Sequence, residues 1–73
     1  MADAEDQERA RERGEGIRAE LLERLETGAQ NAADLLPQLS TPGVSLSEVA
    51  FQLERLDDEG RASGKVGGPY QLA

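Results

Sequence analysis

Apolar residues recur at helical spacing in three parts of the chain, and each part predicts an amphipathic helix. In the first part, Ile17, Leu21 and Leu25 lie four residues apart and form one apolar stripe, while charged residues cover much of the remaining surface. This pattern predicts a helix over residues 17–27. Gly28 follows at the position where helices commonly end in a left-handed conformation.

The second predicted helix is short and covers Ala32–Leu39. Asn31 precedes it and is a suitable N-cap, because its side chain can accept a hydrogen bond from the first turn. Pro37 is unfavourable inside an α-helix, so the helix either ends near Leu36 or finishes as a 3₁₀ turn. The connector before it, Ala29–Gln30, is a candidate for a small first strand.

The third predicted helix has clear signals at both ends. Ser45 and Glu48 match a capping box, in which the serine caps the helix and the glutamate reaches back to the capping residue. The helix is predicted to continue to about Glu59 and to stop at Gly60. Its apolar residues share one face that should close the core against the other helices: Leu46, Val49, Ala50, Leu53 and Leu56.

The C-terminal residues predict a β-hairpin. Two short runs, residues 61–66 and 70–72, flank Gly67–Gly68, and a two-glycine link between such runs is typical of a hairpin turn. Pro69 is tolerated at the start of the returning strand. The expected packing face of the hairpin consists of Ala62, Val66, Tyr70 and Leu72.

The N-terminal residues are rich in Glu, Asp and Arg and contain almost no large apolar side chain. Gly14 and Gly16 are expected to interrupt any helix that forms there. We therefore predict a charged, flexible arm over residues 1–15 and a folded domain over residues 16–73. The alternative is that the arm extends the first helix and is used for dimerisation.

Composition argues against several classes of function. The chain of 73 residues has no Cys and no His, so it lacks thiol nucleophiles and the side chains most used for acid–base and metal chemistry. We therefore expect no enzymatic activity, no cofactor and no metal. No apolar run is long enough for a membrane span or a secretory signal, which predicts a cytoplasmic protein that does not contact a membrane.

The net charge of −7 is unevenly distributed. Residues 27–59 contain six acidic residues and a single Arg, whereas residues 60–73 contain Arg61 and Lys65 and no acidic residue. Acidity opposes non-specific binding to a phosphate backbone, so attraction to DNA is expected mainly at the predicted hairpin. A high-salt cell or a high-GC genome produces similar acidity, and the charge alone does not identify a partner.

The predicted order of helix, short strand, helix, turn, helix and two strands resembles the winged helix-turn-helix domain of many bacterial and archaeal transcription regulators. The resemblance covers roughly residues 17–73 and is most specific at Val49–Leu56 followed by Asp57–Gly60. Ala32–Leu35 resembles the start of the second helix in such regulators. The resemblance implies a mainly helical α+β fold, with three helices and a C-terminal two-stranded wing.

The resemblance also implies where DNA would bind. In these regulators the outward face of the third helix, here residues 45–59, enters the major groove, and the wing, here residues 61–72, contacts the backbone. The side chains on that helix face and in the wing suit these roles. Amide and guanidinium groups can contact base edges, and an aromatic ring can contact a thymine methyl group. A hydroxyl and the basic groups can bind phosphates. The predicted DNA-binding residues are Ser47, Phe51, Gln52, Arg55, Arg61 and Lys65.

Two functions remain open at this point. The favoured one is a small transcriptional regulator that binds double-stranded DNA, with homodimerisation through the first helix and the arm. The alternative is a protein–protein interaction module on the same fold, because winged helices also serve as docking modules. Its acidic surface would bind a basic protein through the face that carries Phe51, and an exposed aromatic residue is often a binding anchor.

Overall fold

The structure is a computed structural model that describes the backbone of residues 2–65 and 67–73, and the side chains of residues 8–65 and 67–73. Within these residues the chain forms three α-helices and an antiparallel hairpin of two strands, which confirms the mainly helical α+β class. The elements are α1 (Ala2–Leu25), α2 (Ala32–Leu35) continued by a 3₁₀ turn (Leu36–Gln38), α3 (Leu46–Asp58), β1 (Ala62–Gly64) and β2 (Tyr70–Leu72).

Helix α1 is longer than the sequence pattern predicts. It begins at Ala2, and the predicted interruption at Gly14 and Gly16 is wrong because both glycines lie inside the helix. Gly14 is buried where α1 crosses α3, and a Cβ there would lie 3.1 Å from Nε2 of Gln52. The glycine therefore permits a close approach of two helices. The flexibility assigned to residues 1–15 stays a prediction.

Helix α2 and its surroundings follow the predictions closely. Oδ1 of Asn31 accepts a hydrogen bond from the backbone N–H of Asp34 at 2.9 Å, which confirms the N-cap. Pro37 lies in the 3₁₀ turn, so the second of the two predicted endings is correct. The predicted first strand is a single antiparallel bridge, in which Gln30 and Tyr70 exchange backbone hydrogen bonds of 3.0 and 2.8 Å.

Helix α3 begins and ends as predicted. Oγ of Ser45 accepts a hydrogen bond from the backbone N–H of Glu48 at 3.2 Å. At the other end Gly60 has φ +74°, and the backbone N–H of Arg61 donates to the carbonyl oxygen of Leu56 at 2.9 Å. This pattern is a Schellman motif, which satisfies the last carbonyl groups of the helix and turns the chain towards β1.

The hairpin has three residue pairs in register: Ala62 with Leu72, Ser63 with Gln71 and Gly64 with Tyr70. The link between its strands contains Gly67, with φ +83°, and the backbone N–H of Gly68 closes the turn by donating to the carbonyl of Lys65 at 2.9 Å. Val66, predicted to pack in the core, lies outside the described residues. Leu72 was also predicted to pack in the core, and this prediction is wrong because its side chain is 40% exposed.

The core lies where α1, α2, α3 and the hairpin meet, and each of these elements supplies at least one buried side chain. Leu46 was also predicted to belong to this set, and this prediction is wrong because its side chain is 48% exposed. No helix among the described residues combines the length and the apolar character needed to cross a membrane. The buried apolar residues are Ile17, Leu21, Leu25, Leu35, Val49, Leu53, Leu56, Ala62 and Tyr70.

Candidate binding surface

The solvent-facing side of α3 divides into an apolar half and a charged half. Leu46 and Phe51, which are 48% and 56% exposed, lie in its N-terminal half together with the partly exposed Ala50. The C-terminal half presents charged side chains that are all exposed, namely Glu54, Arg55, Asp57 and Asp58. Acidic groups outnumber basic ones there, although this is the helix expected to read DNA.

Five of the six predicted DNA-binding residues are exposed. Ser47, Phe51 and Arg55 lie on the outer side of α3, while Arg61 and Lys65 flank strand β1. Nη1 of Arg61 lies 3.6 Å from Oε1 of Glu59, so one of the two positive charges predicted for the wing is paired with a neighbouring carboxylate.

Gln52, the sixth residue of the predicted site, is buried and does not lie on the exposed face of α3, and its role in DNA binding stays a prediction. Its side chain is only 7% exposed. Nη1 of Arg18 donates to Oε1 of Gln52 at 2.6 Å, and Gly14 lies against its amide group. Because the middle of α1, at Gly14 and Arg18, covers this side of α3, Gln52 fixes the packing of two helices.

Glu48 is also engaged by α1 and does not complete the predicted capping box. Nε and Nη2 of Arg13 donate to its two carboxylate oxygens at 3.0 and 3.3 Å, and Nη1 of Arg13 donates to the carbonyl oxygen of Pro42 at 3.0 Å. Arg13 therefore neutralises Glu48 and holds the turn before α3. Sequence reasoning missed Arg13, since it assigned that residue to the flexible arm.

A groove separates α3 from the hairpin, and we call it the α3–hairpin groove. Its acidic end has a volume of about 390 Å³ and is lined by Glu54, Asp57, Asp58, Gly64, Lys65 and Tyr70. Three carboxylates therefore surround the one ammonium group in this lining. Lys65 shares this lining with the acidic side chains, whose negative charge weakens its expected role in phosphate binding.

A second, separate depression lies between the first turns of α2 and α3 and Gly67 of the hairpin link, and we include it in the α3–hairpin groove as its apolar end. It has a volume of about 340 Å³ and is lined by Asn31, Ala32, Ala33, Leu46, Ala50 and Gly67. The two ends are adjacent because Leu46, Ala50 and Glu54 follow one another at four-residue spacing along one side of α3. The groove thus changes along α3 from apolar to acidic.

The phenol of Tyr70 should report the acidity of this groove. Burial raises the pKa of Tyr70, and the carboxylates of Glu54 and Asp57 raise it further. The folded pKa then lies above the unfolded value of about 10, so the stabilisation is complete below that value and is lost as pH rises through the folded pKa. Since Tyr70 is the only Tyr and Trp is absent, phenolate absorbance in a pH titration reports this group alone.

The titration should give a higher pKa in buffer than in concentrated urea. Glu54→Gln should lower the pKa of the folded protein, because it removes one of the nearby negative charges. Glu23→Gln, an exposed change on α1, serves as the control and should leave the pKa unchanged. Equal pKa values in buffer and urea would contradict the described surroundings of the ring.

Comparisons of the chain with protein-family models, with curated proteins and with solved structures found no match. The function therefore has to be inferred from the surface itself.

Proposed function

We propose that residues 17–73 form a winged helix-turn-helix and that the chain is a docking module for a basic protein partner. Support for the fold comes from the order of α2, a turn, α3 and the hairpin, together with the bridge that sets Gln30 beside β2 as a short third strand. The fold alone leaves open whether its ligand is DNA or protein.

The observation that carries the docking function is the chemistry of α3 and its groove. A DNA duplex presents about one negative charge per 1.7 Å of its axis, so a protein that binds it needs exposed cations at the contact. Here Leu46, Ala50 and Phe51 occupy the N-terminal half of α3, and carboxylates crowd the groove beside its C-terminal half. This surface favours a positively charged ligand with apolar side chains.

Phe51 supplies a second element of a protein interface. It is the only Phe of the chain and is 56% exposed on the outer side of α3. Aromatic side chains are enriched among the residues that dominate binding energy in protein–protein interfaces. A basic partner that covers Phe51 would bury an apolar ring and place its cations near Glu54 and Asp58.

Binding of double-stranded DNA, by a homodimer paired through α1, is the second candidate function. The observation in its favour is that Ser47, Arg55 and Lys65 are exposed on α3 and the hairpin, where a winged helix contacts DNA. Arg55 and Lys65 are outnumbered by the three carboxylates of the groove, so we rank this function below docking. The prediction of a dimer remains a proposal under either function.

One experiment separates the two candidates. Amide chemical shifts of the labelled protein are followed during titration with a mixed-sequence duplex and, separately, with an oligo-arginine peptide, both at low salt. We expect shifts at Glu54, Asp57 and Asp58 with the peptide and none with the duplex, because opposite charges attract and like charges repel at this surface.

A control variant tests the opposite result. If the duplex produces shifts at Ser47, Arg55 and Lys65 that shrink at high salt and vanish in Arg55→Ala, DNA binding is the function and docking is refuted. Arg24→Ala removes an exposed Arg from α1 and should have no such effect. The pair of arginine variants distinguishes a defined DNA contact from a general loss of positive charge.

A further inference from the structure

We propose that the α3–hairpin groove binds an extended segment of the partner protein that carries one large apolar side chain followed by basic residues. The proposal rests on the docking function and makes it specific, because it assigns the principal contact to the groove instead of the outer face at Phe51. Its two supports are the apolar end, built around Leu46, and the acidic end, built around Glu54 and Asp57.

The apolar end is a depression that can receive an apolar side chain of the partner. Ala32, Ala33 and Ala50 are small, so they leave a depression between α2 and α3, and Leu46 forms one wall of it. Leu46 is 48% exposed, so about half of its surface is open to a partner. An apolar side chain of the partner would remove this surface from water, which is favourable in proportion to the apolar area covered.

The acidic end fits the basic part of the same segment. Glu54, Asp57 and Asp58 supply three carboxylates, and Lys65 offsets one of them. A partner cation seated here is attracted by the remaining charge, and the attraction is strengthened by the low-dielectric wall of the groove. One or two Arg or Lys side chains would match the excess of negative charge.

The distances along α3 fix the spacing of the partner residues. Ala50 and Glu54 are one helical turn apart, roughly 6 Å, and Leu46 and Asp57 are eleven positions apart, roughly 16 Å at 1.5 Å per residue. An extended chain advances about 3.3 Å per residue. The basic residues of the partner segment should therefore follow its apolar residue by about two to five positions.

A second copy of this chain does not offer such an extended segment among its described exposed residues: Phe51 precedes Arg55 by four positions, but both lie in helix α3. The exposed turns of α1 carry Arg9 and Arg11, but Glu8 and Glu12 lie beside them and no large apolar side chain accompanies them. Arg24 is next to Leu25, which is buried in the core. The occupant is therefore a different protein with an apolar-then-basic segment.

Fluorescence anisotropy with a labelled probe peptide tests the proposal. The probe contains one leucine followed, after two serines, by two arginines, in an otherwise neutral sequence. Two comparison peptides replace the leucine with serine or the arginines with glutamates. We expect the probe to bind at least about tenfold more tightly than either comparison peptide, since each half of the groove contributes to binding.

Protein variants assign the binding to the groove. Leu46→Ser and the double change Glu54→Gln with Asp57→Asn should each weaken binding of the probe about tenfold. Leu72→Ser removes another exposed leucine, on β2 and outside the groove lining, and should leave binding unchanged. Circular dichroism confirms that each variant is folded before its affinity is compared.

The outcomes separate failure of the groove from failure of docking. If Phe51→Ala abolishes binding of the probe and Leu46→Ser does not, the partner docks on the outer face and the groove proposal is overturned. If oligo-arginine binds but the leucine of the probe adds nothing, the apolar end has no role and the proposal is likewise overturned. If neither the probe nor oligo-arginine binds and the duplex does, the docking function itself is refuted.

Discussion

Leu53→Ala should lower the free energy of unfolding by about 3–5 kcal/mol and leave most of the protein unfolded at room temperature. Leu53 is fully buried at the centre of α3, so its truncation removes apolar burial and leaves a cavity between α3 and the elements packed on it. A single core in a chain of 73 residues rarely provides more than about 3–5 kcal/mol in total. Urea denaturation followed by circular dichroism measures the loss.

Leu46→Ala is the matched control for this change. It is the same substitution in the same helix, at a side chain that is 48% exposed. Its effect on the free energy of unfolding should stay within about 0.5 kcal/mol, as is usual for exposed positions. If the two variants lost similar stability, the described orientation of α3 would be wrong.

Gly64→Ala should destabilise the protein by about 2–3 kcal/mol, because a methyl group at this position has no space. A Cβ on Gly64 would lie 2.6 Å from the carbonyl oxygen of Pro69 and 2.7 Å from the ring of Tyr70. Neither neighbour can move easily, since one is backbone and the other is a buried ring in a strand that also bridges to Gln30. Thermal and urea unfolding should both show the loss.

Gly68→Ala provides the comparison for Gly64→Ala within the same hairpin. A Cβ there would approach only the carbonyl oxygen of Lys65, at 3.5 Å, which is an ordinary contact. The variant should keep its stability or gain slightly, because alanine restricts the unfolded chain. Equal stability of the two variants would show that strand β1 does not pack against Tyr70 as described.

The ends of α2 and α3 could be predicted because their signals are local. Ser45 and Asn31 cap amide groups only three residues away, and Gly60 adopts a conformation that few other residues tolerate. Such signals need no knowledge of the rest of the fold. The 3₁₀ ending at Pro37 is equally local, since it follows from the missing N–H and the ring of that residue.

The role of Gln52 could not be predicted, because it depends on an element distant in the sequence. A helical projection of α3 places Gln52 beside the core stripe, where it can be buried or exposed. The extension of α1 buries Gln52. This extension could not be predicted, because its sequence contains few apolar residues and two glycines that argue against a helix. A Cβ at Gly14 would lie 3.1 Å from Nε2 of Gln52 and 3.3 Å from Nη1 of Arg18, which explains why a glycine is favourable there.

The outer face of α3 was easier to predict than the groove beside it. Ser47, Phe51 and Arg55 are exposed, as helical periodicity indicates. The groove depends on the side of α3 against which the hairpin packs, and periodicity carries no information about that. For the same reason Leu46 was wrongly placed in the core: its position on the stripe is favourable, but its side chain is 48% exposed.

The bridge between Gln30 and Tyr70 ties the hairpin to a point forty residues earlier in the chain. Strands of three residues have little stability of their own, and closing so long a loop costs entropy that only the assembled core can offset. The hairpin is therefore expected to dock late in folding, and one wall of the α3–hairpin groove forms only at that step. A ligand that binds in the groove binds only the completely folded protein and therefore stabilises it. Folding and ligand binding are thus thermodynamically linked.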